Sequence, residues 1–484
     1  MSLLFDSVDQ MLAAAASLGR VERDRFVAAP GEPDGALIDR LAHTGALGAT
    51  PELRGTARWL LRSAAAARGI RPASIHDLYM AMGRKEAGGF TVPAMNIRMM
   101  AYDTARAAFR AARSLDAAAI IFEIARSEIG YTEQRPHEYA AMIIAAALRE
   151  GFTGPVFIQG DHVQVNAKKY RGPEREAELE TLRALIREEI AAGFYNIDID
   201  TSTLVDLEKP TLEEQQKVNC ELGAEFTQFI RDHEPDGVTI SVGGEIGEVG
   251  GKNSDVHELR AYMRGYQSAL ARRGAKLVGL SKISVQTGTA HGGFVGPDGK
   301  VRMDVKIDLA TLSELSRVAR EEYGLGGAVQ HGASTLPPEA FDAFPEAGAC
   351  EIHLATDFQN QVYEHPALPV ELRQQMYAWV VEHATEERKP NDTEQQFLYK
   401  ARKKAIGPFK RQLWSLPDDV KAAIGKTLED RFRFLMEKLR VAGTREVVNR
   451  FVRAPEVPRD RQSEVEAAAG RITAAERKAE GLAD

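Results

Sequence analysis

Short apolar runs alternate with helix-like segments along most of this chain, and this alternation constrains the fold more than any other feature. Eight runs rich in Val, Ile and Phe lie at 91–97, 117–124, 155–161, 194–200, 238–246, 276–287, 328–333 and 349–357. Candidate helices lie between them, for example at 102–112, 174–192 and 309–322. Eight strands that alternate with helices predict an α/β protein with a (β/α)8 TIM barrel. A doubly wound open sheet is the alternative, but no Gly-x-Gly-x-x-Gly turn follows the first run.

The regions outside these runs predict helical extensions at both ends of the barrel. The stretch 54–68 has the composition of a helix. We assign 1–73 to an N-terminal helical extension, 74–365 to the barrel, 366–453 to a C-terminal helical region and 454–484 to a charged tail, helical or disordered. The basic cluster at 400–411 is interpreted as a solvated helix face, with contact to phosphate or nucleic acid as the alternative.

Composition and charge restrict the function classes. The 484-residue chain has a net charge of −8 and a pI near 5.9, which argues against a dedicated nucleic-acid binder because such proteins are usually basic. Its two cysteines, Cys220 and Cys350, cannot form a disulfide framework, which favours a reducing compartment. No apolar run approaches the roughly 18 residues that a membrane span needs, and residues 1–20 lack the features of a signal or transit peptide. We expect a soluble, cytoplasmic protein that binds neither nucleic acid nor membrane.

Polar side chains follow the apolar runs at the end where barrel enzymes place their active sites. These residues are Asn96, Asp161, His162, Asp200, Glu245, His331 and Asp357. Asp161 and His162 are adjacent at the end of the third run, where we expect a strand to end in a site. Because neighbouring side chains on a strand diverge, this pair predicts one base beside one metal ligand.

Three histidines lie in glycine-rich junctions: His162, His291 and His331. Glycine allows backbone and ligand to approach closely. Three histidines from three strands, with an open fourth position, are the ligands that a catalytic Zn²⁺ requires. Glu245, at the end of the fifth run, is a carboxylate that fits near such a metal. For each histidine alone a structural role is the alternative, but together they predict a metal site.

The chain resembles the class II, metal-dependent ketose-bisphosphate aldolases, which include fructose- and tagatose-bisphosphate aldolases. The resemblance covers 75–363 and extends weakly into the C-terminal helices. The matching fragments, in the family's order, are Val92-Pro-Ala-Met-Asn96, Gly160-Asp-His162, Ile199-Asp-Thr-Ser202, Glu245-Ile-Gly-Glu-Val-Gly-Gly251, Gly288-Thr-Ala-His-Gly292, His331-Gly-Ala-Ser334 and Ala355-Thr-Asp357.

The resemblance implies a metal centre and an acid beside it. The implied zinc ligands are His162, His291 and His331, and Co²⁺ or another divalent metal would be able to replace zinc. Glu245 matches a carboxylate that ligates or approaches the metal. Asp161 matches the acid that handles the hydroxyl proton as the C3–C4 bond breaks.

The resemblance also implies substrate contacts around this centre. Asn96 matches a substrate contact, and Asp200 matches an acidic position near the metal, for which a structural role is the alternative. The implied phosphate pocket consists of Gly292, Gly332, Ser334 and Thr356, with backbone N–H groups and hydroxyls as donors. The carbonyls of Gly292 and Gly332 match positions that hold a monovalent cation, Na⁺ or K⁺.

Four positions depart from the family's pattern. Lys252-Asn253 follows a Gly-Gly pair where two acidic residues are usual, and Gly293-Phe-Val295 lacks the usual lysine. The last strand reads His353-Leu-Ala355-Thr356 in place of Asn-x-Asp-Thr, and Ala333 replaces a glycine. We therefore expect an intact metal site with a different substrate, or with phosphate held by other basic residues. The candidates are Arg98, Arg126, Lys168 and Lys169, of which Arg126 is favoured because it directly follows a strand that should be buried, whereas exposed loop positions are the alternative for the lysines.

Two hypotheses follow from the sequence. The first is a zinc-dependent lyase of carbohydrate metabolism, such as glycolysis, that cleaves or forms a C–C bond of a phosphorylated ketose through a zinc-stabilised enediolate and releases dihydroxyacetone phosphate plus an aldehyde. The second is a non-catalytic or substrate-shifted metal-binding barrel that serves as a structural or regulatory subunit, which the altered last strand and the extensions suggest. The expected partners are a small sugar phosphate and further copies of the chain, in a homodimer or larger homo-oligomer.

Overall fold

Eight parallel strands close into a barrel in the computed structural model of the chain, which confirms the predicted (β/α)8 architecture. The structure describes residues 3–22, 25–247, 252–288, 294–298, 301–302, 307–334 and 336–477. The barrel strands are β1 (Val92–Asn96), β2 (Ile121–Ala125), β3 (Gly154–Gln164), β4 (Asn196–Asp200), β5 (Ser241–Glu245), β6 (Lys282–Val285), β7 (Ala328–Gln330) and β8 (Glu351–Leu354). Each of them overlaps one of the eight predicted runs.

Consecutive strands pair in parallel around the barrel, and β8 returns to β1 with Glu351 opposite Val92. Nearly every strand residue is buried, because helices cover the outer surface and side chains fill the interior. This double burial explains why the strands have continuous apolar runs rather than a strict alternation of apolar and polar residues. A charged side chain inside such a strand is therefore an exception that needs a partner.

An additional short strand, Ile70–Ala73, pairs with the first half of β3, whereas β4 pairs with the second half. The Asn196 side chain lies at this junction and connects the three strands. Its Oδ1 accepts a hydrogen bond from the backbone N–H of Ile75 at 2.9 Å. Its Nδ2 donates to the carbonyl oxygens of Ala73 and Ile158 at 3.2 and 3.0 Å. The hydrogen bonds of the buried Asn196 amide therefore hold these strands together.

Helices surround the barrel between successive strands. They are Ala101–Ser114, Arg126–Thr132, Pro136–Arg149, Ala167–Arg171, Arg175–Ala192, Leu212–His233, Val256–Arg273, Leu309–Tyr323, Ala343–Ala347 and Thr356–Tyr363, with 3-10 turns at Ser202–Leu204 and Pro338–Ala340. Two short strands, Phe294–Val295 and Val301–Arg302, pair antiparallel in the connection after β6. No helix within the described ranges is both long and apolar enough to span a membrane.

The N-terminal extension and the tail pack against each other. The extension contains the helices Val8–Ala15, Gly35–Leu47 and Pro51–Ala66 and the strands Gly19–Glu22 and Arg25–Ala28, and the helix His76–Gly83 follows it. The tail contains the helices Arg461–Ala469 and Ala474–Arg477. A Cβ atom at Gly55 would lie 2.4 Å from Val465 Cα, so glycine is required at this helix contact. Buried Glu464 pairs with Arg62 at 3.4 Å and with His137 at 3.2 Å. The described part of the tail is therefore packed and partly helical, while the domain boundaries themselves stay predictions.

The C-terminal region contributes five more helices, with 3-10 turns at Thr385–Glu387 and Arg402–Ala405. The helices are Val370–His383, Glu394–Ala401, Lys410–Trp414, Asp418–Lys438 and Arg445–Phe451. The basic cluster at 400–411 belongs to this region, and the predicted solvated face is wrong for Arg402, which is buried, while Lys410 is half-buried. Arg402 is 3% exposed and pairs with Glu364 at 2.8 Å, and Lys410 donates to the carbonyl oxygen of Glu133 at 2.7 Å. These cations face the barrel, which residue composition alone does not indicate.

Candidate metal centre

A bulge in β3 places Asp161 and His162 in the same cavity. The pairing of β3 with β4 shifts register between Gly160 and Val163, and His162 has a left-handed φ of 40°. A bulge rotates the strand locally, so two adjacent side chains can both point inward. Asp161 is fully buried and His162 is 3% exposed. We expected the strand to end at this pair, but β3 continues to Gln164 and the bulge produces the convergence instead.

Two carboxylates orient the His162 ring. Asp200 Oδ2 lies 3.1 Å from His162 Nδ1 and accepts a hydrogen bond from it, and Glu245 Oε2 lies 3.5 Å from the same nitrogen. Asp200 is held in turn by the backbone N–H and hydroxyl of Ser202, at 3.1 and 2.7 Å. The strand ends of β4 and β5 therefore converge on the bulge of β3.

His331 follows β7 and completes the arrangement. Its ring centroid lies 4.3 Å from that of His162, and its Nε2 lies 3.0 Å from Ser284 Oγ. Ligand atoms of Asp161, His162 and His331 all lie within 4.8 Å of one another, and so do those of His162, Asp200 and Glu245. The structure thus brings together five of the residues predicted at or near the metal site, Asp161, His162, Asp200, Glu245 and His331. His291 and Gly292 lie outside the described residues.

The donor set fits a divalent cation. Imidazole nitrogens and carboxylate oxygens are ligands that zinc and similar ions prefer, and a hydrogen-bonded outer group on each ligand is typical of such sites. Three carboxylates and two imidazoles are buried here, so the cavity has an excess of negative charge when both rings are neutral. A bound cation would balance that excess.

The pKa shifts have the same electrostatic origin. Burial raises the pKa of Glu245 well above its usual range, and the neighbouring Asp200 raises it further. Burial alone would lower the pKa of His162, but Asp161, Asp200 and Glu245 raise it well above its usual value. Burial would raise the pKa of Asp161, yet His162, His353 and the Asn96 amide hold it below its usual value. Without a cation the acidic residues retain a proton at His162, and a cation would displace it.

Asn96 links Asp161 to a second ion pair. Its Nδ2 donates to Asp161 Oδ2 at 2.9 Å and to Glu128 Oε2 at 3.0 Å. Glu128 also accepts the backbone N–H of Ala125 at 2.9 Å, which caps the helix Arg126–Thr132, and it pairs with Arg98. Asn96 is fully buried and holds the Asp161 carboxylate in one orientation. Its predicted contact with substrate stays a prediction.

Comparison with known proteins identifies the family. A family model described as "Fructose-bisphosphate aldolase class-II" matches residues 78–413, more than half of the 484 residues. This chain belongs to the class-II fructose-bisphosphate aldolase family. Among solved structures, the YdjI aldolase from Escherichia coli K12 is 14% identical, with a TM-score of 0.43 over 77% of this chain and 98% of that one. A fructose-bisphosphate aldolase from Campylobacter jejuni is 17% identical, with a TM-score of 0.44 over 78% of this chain and 97% of that one.

Membership of the class-II aldolase family supports an aldolase-type lyase, and the predicted family resemblance is confirmed. Proteins of this family are generally metal-dependent, and the buried histidine and carboxylate groups around His162 are the candidate metal ligands in this chain. The family assignment follows from the family model alone, because the solved structures are only remotely similar to this chain.

His353 also lies in this cavity, and sequence reasoning missed it because the sequence marks it only as a departure from the family's asparagine. Its ring centroid lies 4.0 Å from that of His331, and its Nδ1 lies 3.2 Å from Asp161 Oδ1 and 3.1 Å from Glu123 Oε1. Glu123 is fully buried within β2, and burial raises its pKa to about 8. The sequence did contain one signal for this contact. Glu123 lies inside the apolar run 117–124, and a buried charge requires a partner.

Below this centre lies a second buried cluster around Lys282, which the sequence also did not reveal. Lys282 is the single lysine on the eight barrel strands, and it pairs with Asp198 at 2.9 Å and with Glu351. Its Nζ also donates to Gln159 Oε1 at 2.8 Å, and the Tyr79 hydroxyl donates to Glu351. Burial opposes the charge of Lys282, but Asp198 and Glu351 raise its pKa well above the usual value.

Three of the predicted phosphate-pocket residues, Gly332, Ser334 and Thr356, lie after β7 and β8, and the fourth, Gly292, lies outside the described residues. Gly332 has a left-handed φ of 66°, a conformation that favours glycine. Ser334 Oγ accepts the backbone N–H of Ala355 at 2.6 Å, and Thr356 Oγ1 accepts a hydrogen bond from Arg98 at 3.2 Å. These contacts connect the two loops, and the predicted role in phosphate binding stays a prediction.

Arg126, the favoured replacement cation, already has protein partners. Its guanidinium donates to both carboxylate oxygens of Glu178, at 2.6 and 3.2 Å, and to the carbonyl oxygen of Gln164 at 2.7 Å. Lys168 and Lys169 are exposed on the helix Ala167–Arg171. Arg98, in contrast, is 5% exposed and lies beside Thr356 and Glu128. Of the four candidates, Arg98 is therefore the one that contacts the rest of the site.

Proposed function

We propose that this protein is a divalent-metal-dependent aldolase that cleaves or forms a C–C bond of a phosphorylated ketose, with zinc as the metal and dihydroxyacetone phosphate plus an aldehyde as the cleavage products. One observation supports the proposal most strongly. Ligand atoms of Asp161, His162 and His331 lie within 4.8 Å of one another at the C-terminal end of the barrel of a class-II aldolase family member. Family membership makes the alternative of a non-catalytic barrel the less favoured one.

The proposed roles follow from the positions of the side chains. His162 and His331 would hold the cation, with His291 as the predicted third ligand and Glu245 as a carboxylate beside it. When bound, the cation supplies Lewis-acid stabilisation of the negative charge that develops on the ketose oxygens. Asp200 would keep the His162 ring in place through the 3.1 Å hydrogen bond to Nδ1.

Asp161 is the proposed proton acceptor. Its lowered pKa keeps it a carboxylate at neutral pH, and its Oδ2 is held by Asn96 at 2.9 Å, so Oδ1 is directed toward the cavity where His162 and His353 lie. In the cleavage direction this carboxylate would accept the hydroxyl proton of the substrate as the C–C bond breaks. In the synthesis direction it would return that proton.

The Lys282 contacts support metal chemistry over Schiff-base chemistry. A Schiff base requires a neutral amine that can attack a carbonyl. Lys282 is fully buried, ion-paired with two carboxylates and has a raised pKa, so its amine stays protonated. The proposal therefore assigns Lys282 no part in the reaction.

Metal removal tests the proposal directly. Dialysis against a strong chelator should abolish cleavage of fructose 1,6-bisphosphate or a related ketose phosphate, and Zn²⁺ or Co²⁺ should restore it. Borohydride in the presence of substrate should leave the activity intact. Circular dichroism of the metal-free protein controls for unfolding. Full activity after complete metal removal, or covalent trapping of substrate on a lysine by borohydride, would show the proposal to be wrong.

A further inference from the structure

A cavity of about 240 Å³ lies between the helix Pro51–Ala66, the strand Ile70–Ala73 and residues 455–459 of the tail; we name it the basal cavity. The strand Ile70–Ala73 pairs with the first half of β3, whereas the metal centre lies in its second half, so the two sites lie toward opposite ends of the barrel. Most residues that line the basal cavity fall outside 78–413, the part of the chain that the family model matches. Membership of the aldolase family therefore does not account for this cavity.

Three guanidinium groups line the basal cavity, and two carboxylates pair with them. Arg62 Nη1 and Arg459 Nη1 lie 3.4 and 3.7 Å from the same oxygen, Glu464 Oε1. Arg71 Nη2 lies 3.0 Å from Oε2 of Glu456, whose side chain is 48% exposed. One buried carboxylate is thus shared between two arginines, and the third arginine is paired at the surface.

Arg62 is the most buried of these cations, with 4% of its surface exposed. Its Nη2 donates to the carbonyl oxygen of Ala192 at 2.5 Å. Its Nη1 lies within ion-pair distance of Glu464, but within the described residues this nitrogen has no hydrogen-bond partner. A buried N–H group without a hydrogen bond is unfavourable, and an oxygen acceptor in the cavity would satisfy it.

Gly193 brings Arg62 and Arg459 close together. Its φ is 93°, and a Cβ atom at this position would lie 3.1 Å from Arg62 Nη2 and 2.9 Å from Arg459 Nη2. Both guanidinium groups therefore approach the same stretch of backbone just before β4, and Arg459 Nη1 also donates to the carbonyl oxygen of Ala191 there. Two neighbouring guanidinium groups in a cavity favour a carboxylate or phosphate, which each of them can bind through parallel N–H donors.

Aromatic and aliphatic side chains form much of the remaining wall. Tyr195 and Ile144 are buried, and Phe26 and Trp59 are half-buried. Trp59 Nε1 donates to the carbonyl oxygen of Arg459 at 3.2 Å, which holds the indole against the tail. Walls of this composition bury the apolar part of a small ligand, while a few polar groups fix its orientation.

We propose that the basal cavity binds a small organic anion that carries one planar apolar ring. Its carboxylate or phosphate would accept hydrogen bonds from Arg62, with Arg459 beside it, and its ring would pack against Trp59 and Tyr195. Drug-sized ligands occupy pockets of roughly 300–1,000 Å³, so a cavity of about 240 Å³ suits a single-ring compound. The inference goes beyond the proposed function, because the ligand lies away from the metal centre and is not consumed.

Isothermal titration of the metal-loaded protein with benzoate and with phenyl phosphate tests the site, and benzyl alcohol is the neutral control. The wild type should bind at least one of the two anions roughly tenfold more tightly than benzyl alcohol, as expected for a charge-assisted contact. The tighter of the two anions identifies the charged group that the site prefers.

Two arginines of one helix supply the variant and its matched control. Arg62→Met should weaken binding of the preferred anion roughly tenfold or more. Arg58 lies one turn earlier on the same helix, is 3% exposed and pairs with Glu138 at 2.9 Å, but it does not line the cavity. Arg58→Met should therefore keep the affinity within roughly twofold, because binding energies of separate groups are nearly independent. Thermal unfolding establishes that each variant is folded.

If Arg62→Met does not fold, Ser63→Leu takes its place. Ser63 lines the cavity and is half-buried, so a leucine would occupy ligand space without removing a charge. This variant should also weaken anion binding roughly tenfold or more, because a ligand cannot share the volume that a side chain fills.

The outcomes separate this inference from the proposed function because binding in the basal cavity needs neither turnover nor metal. Removal of the metal should leave the affinity within roughly twofold, since the cavity and the metal centre share no lining residue. No binding of either anion by the wild type, equal binding of benzyl alcohol, or equal weakening in the Arg62 and Arg58 variants would overturn the site. Binding that persists in Arg62→Met and disappears with the metal would place the anion at the metal centre and would also overturn it.

Discussion

The barrel interior contains two buried clusters of charged residues, and they differ in how their charges are balanced. In the lower cluster Lys282 is surrounded by Asp198, Glu351 and Gln159, so its charge has partners on three sides. In the upper cluster Asp161, Asp200 and Glu245 share two histidines, which carry a charge only when they are protonated. Both clusters are buried to a similar degree. Burial of charge therefore does not mark the site by itself, whereas carboxylates that face titratable histidines at the open end of the barrel do.

Asp161→Ala should produce the largest effect and place the chemistry in the upper cluster. Loss of a positioned proton acceptor lowers turnover by about 10²–10⁴-fold, while the histidine ligands remain to hold the metal. Turnover and metal content of the purified variant measure the two properties separately. Cleavage at the wild-type rate would show that Asp161 is not the proton acceptor, and loss of the metal would show that it is a required ligand instead.

Lys282→Met should affect stability rather than chemistry. Removal of one partner leaves the carboxylates of Asp198 and Glu351 buried without their cation, which lowers the free energy of unfolding by about 3–5 kcal/mol. Urea unfolding measures this loss, and metal content per folded molecule should stay at the wild-type value. A variant of wild-type stability that has lost activity would contradict the separation of the two clusters, because it would make Lys282 part of the reaction.

Glu189→Met should produce the smallest effect and extend the comparison to a buried acid outside both clusters. Glu189 is fully buried, and within the described residues neither of its side-chain oxygens has a hydrogen-bond partner. Its side chain packs against Gly160, where a Cβ atom would lie 2.5 Å from Glu189 Oε2. An apolar side chain of similar size should raise the free energy of unfolding by about 1 kcal/mol or more near pH 8, because it removes an unsatisfied polar group.

The pH dependence of this gain has a definite sign. Burial, with Glu188 as the next contribution, raises the pKa of Glu189 well above its usual value of 4.5. The native state therefore holds the proton more tightly than the unfolded chain, and its contribution is fully present below pH 4.5 and falls as the pH rises toward the folded pKa. The stability difference between Glu189→Met and wild type should grow from pH 5 to pH 8 in urea unfolding at constant metal content. A difference that is constant or shrinks over this range would show that Glu189 is ionised in the folded protein.

The sequence was sufficient for the barrel and for part of the site. Strand patterning identified all eight strands, because burial on both faces requires continuous apolar runs. Asp161, His162, Glu245 and His331, which were selected because each stands at or near the C-terminal end of such a run, lie close together in the structure, and their roles stay predictions. The partners of Lys282, by contrast, come from strands far apart in the chain. Their pairing depends on the register of the closed barrel, which no local pattern contains.

Other features escaped prediction for local reasons. The left-handed backbone of His162 is unusual for a residue other than glycine, so the bulge that turns both side chains inward had no local signal. Arg402 and Lys410 belong to a run of basic residues, and such runs usually face solvent. Their partners are Glu364 and Glu133, which lie in the barrel loops.

The backbone of His162 also connects metal binding to folding. A non-glycine residue at a φ of 40° is less stable than one in an extended strand by about 1–3 kcal/mol. A cation that holds the imidazole would favour the same backbone conformation and the same register of β3 on β4. The metal then acts as a ligand of the native state alone, so the melting temperature should rise with the concentration of free metal. In the cell, the amount of folded protein would follow the supply of that ion.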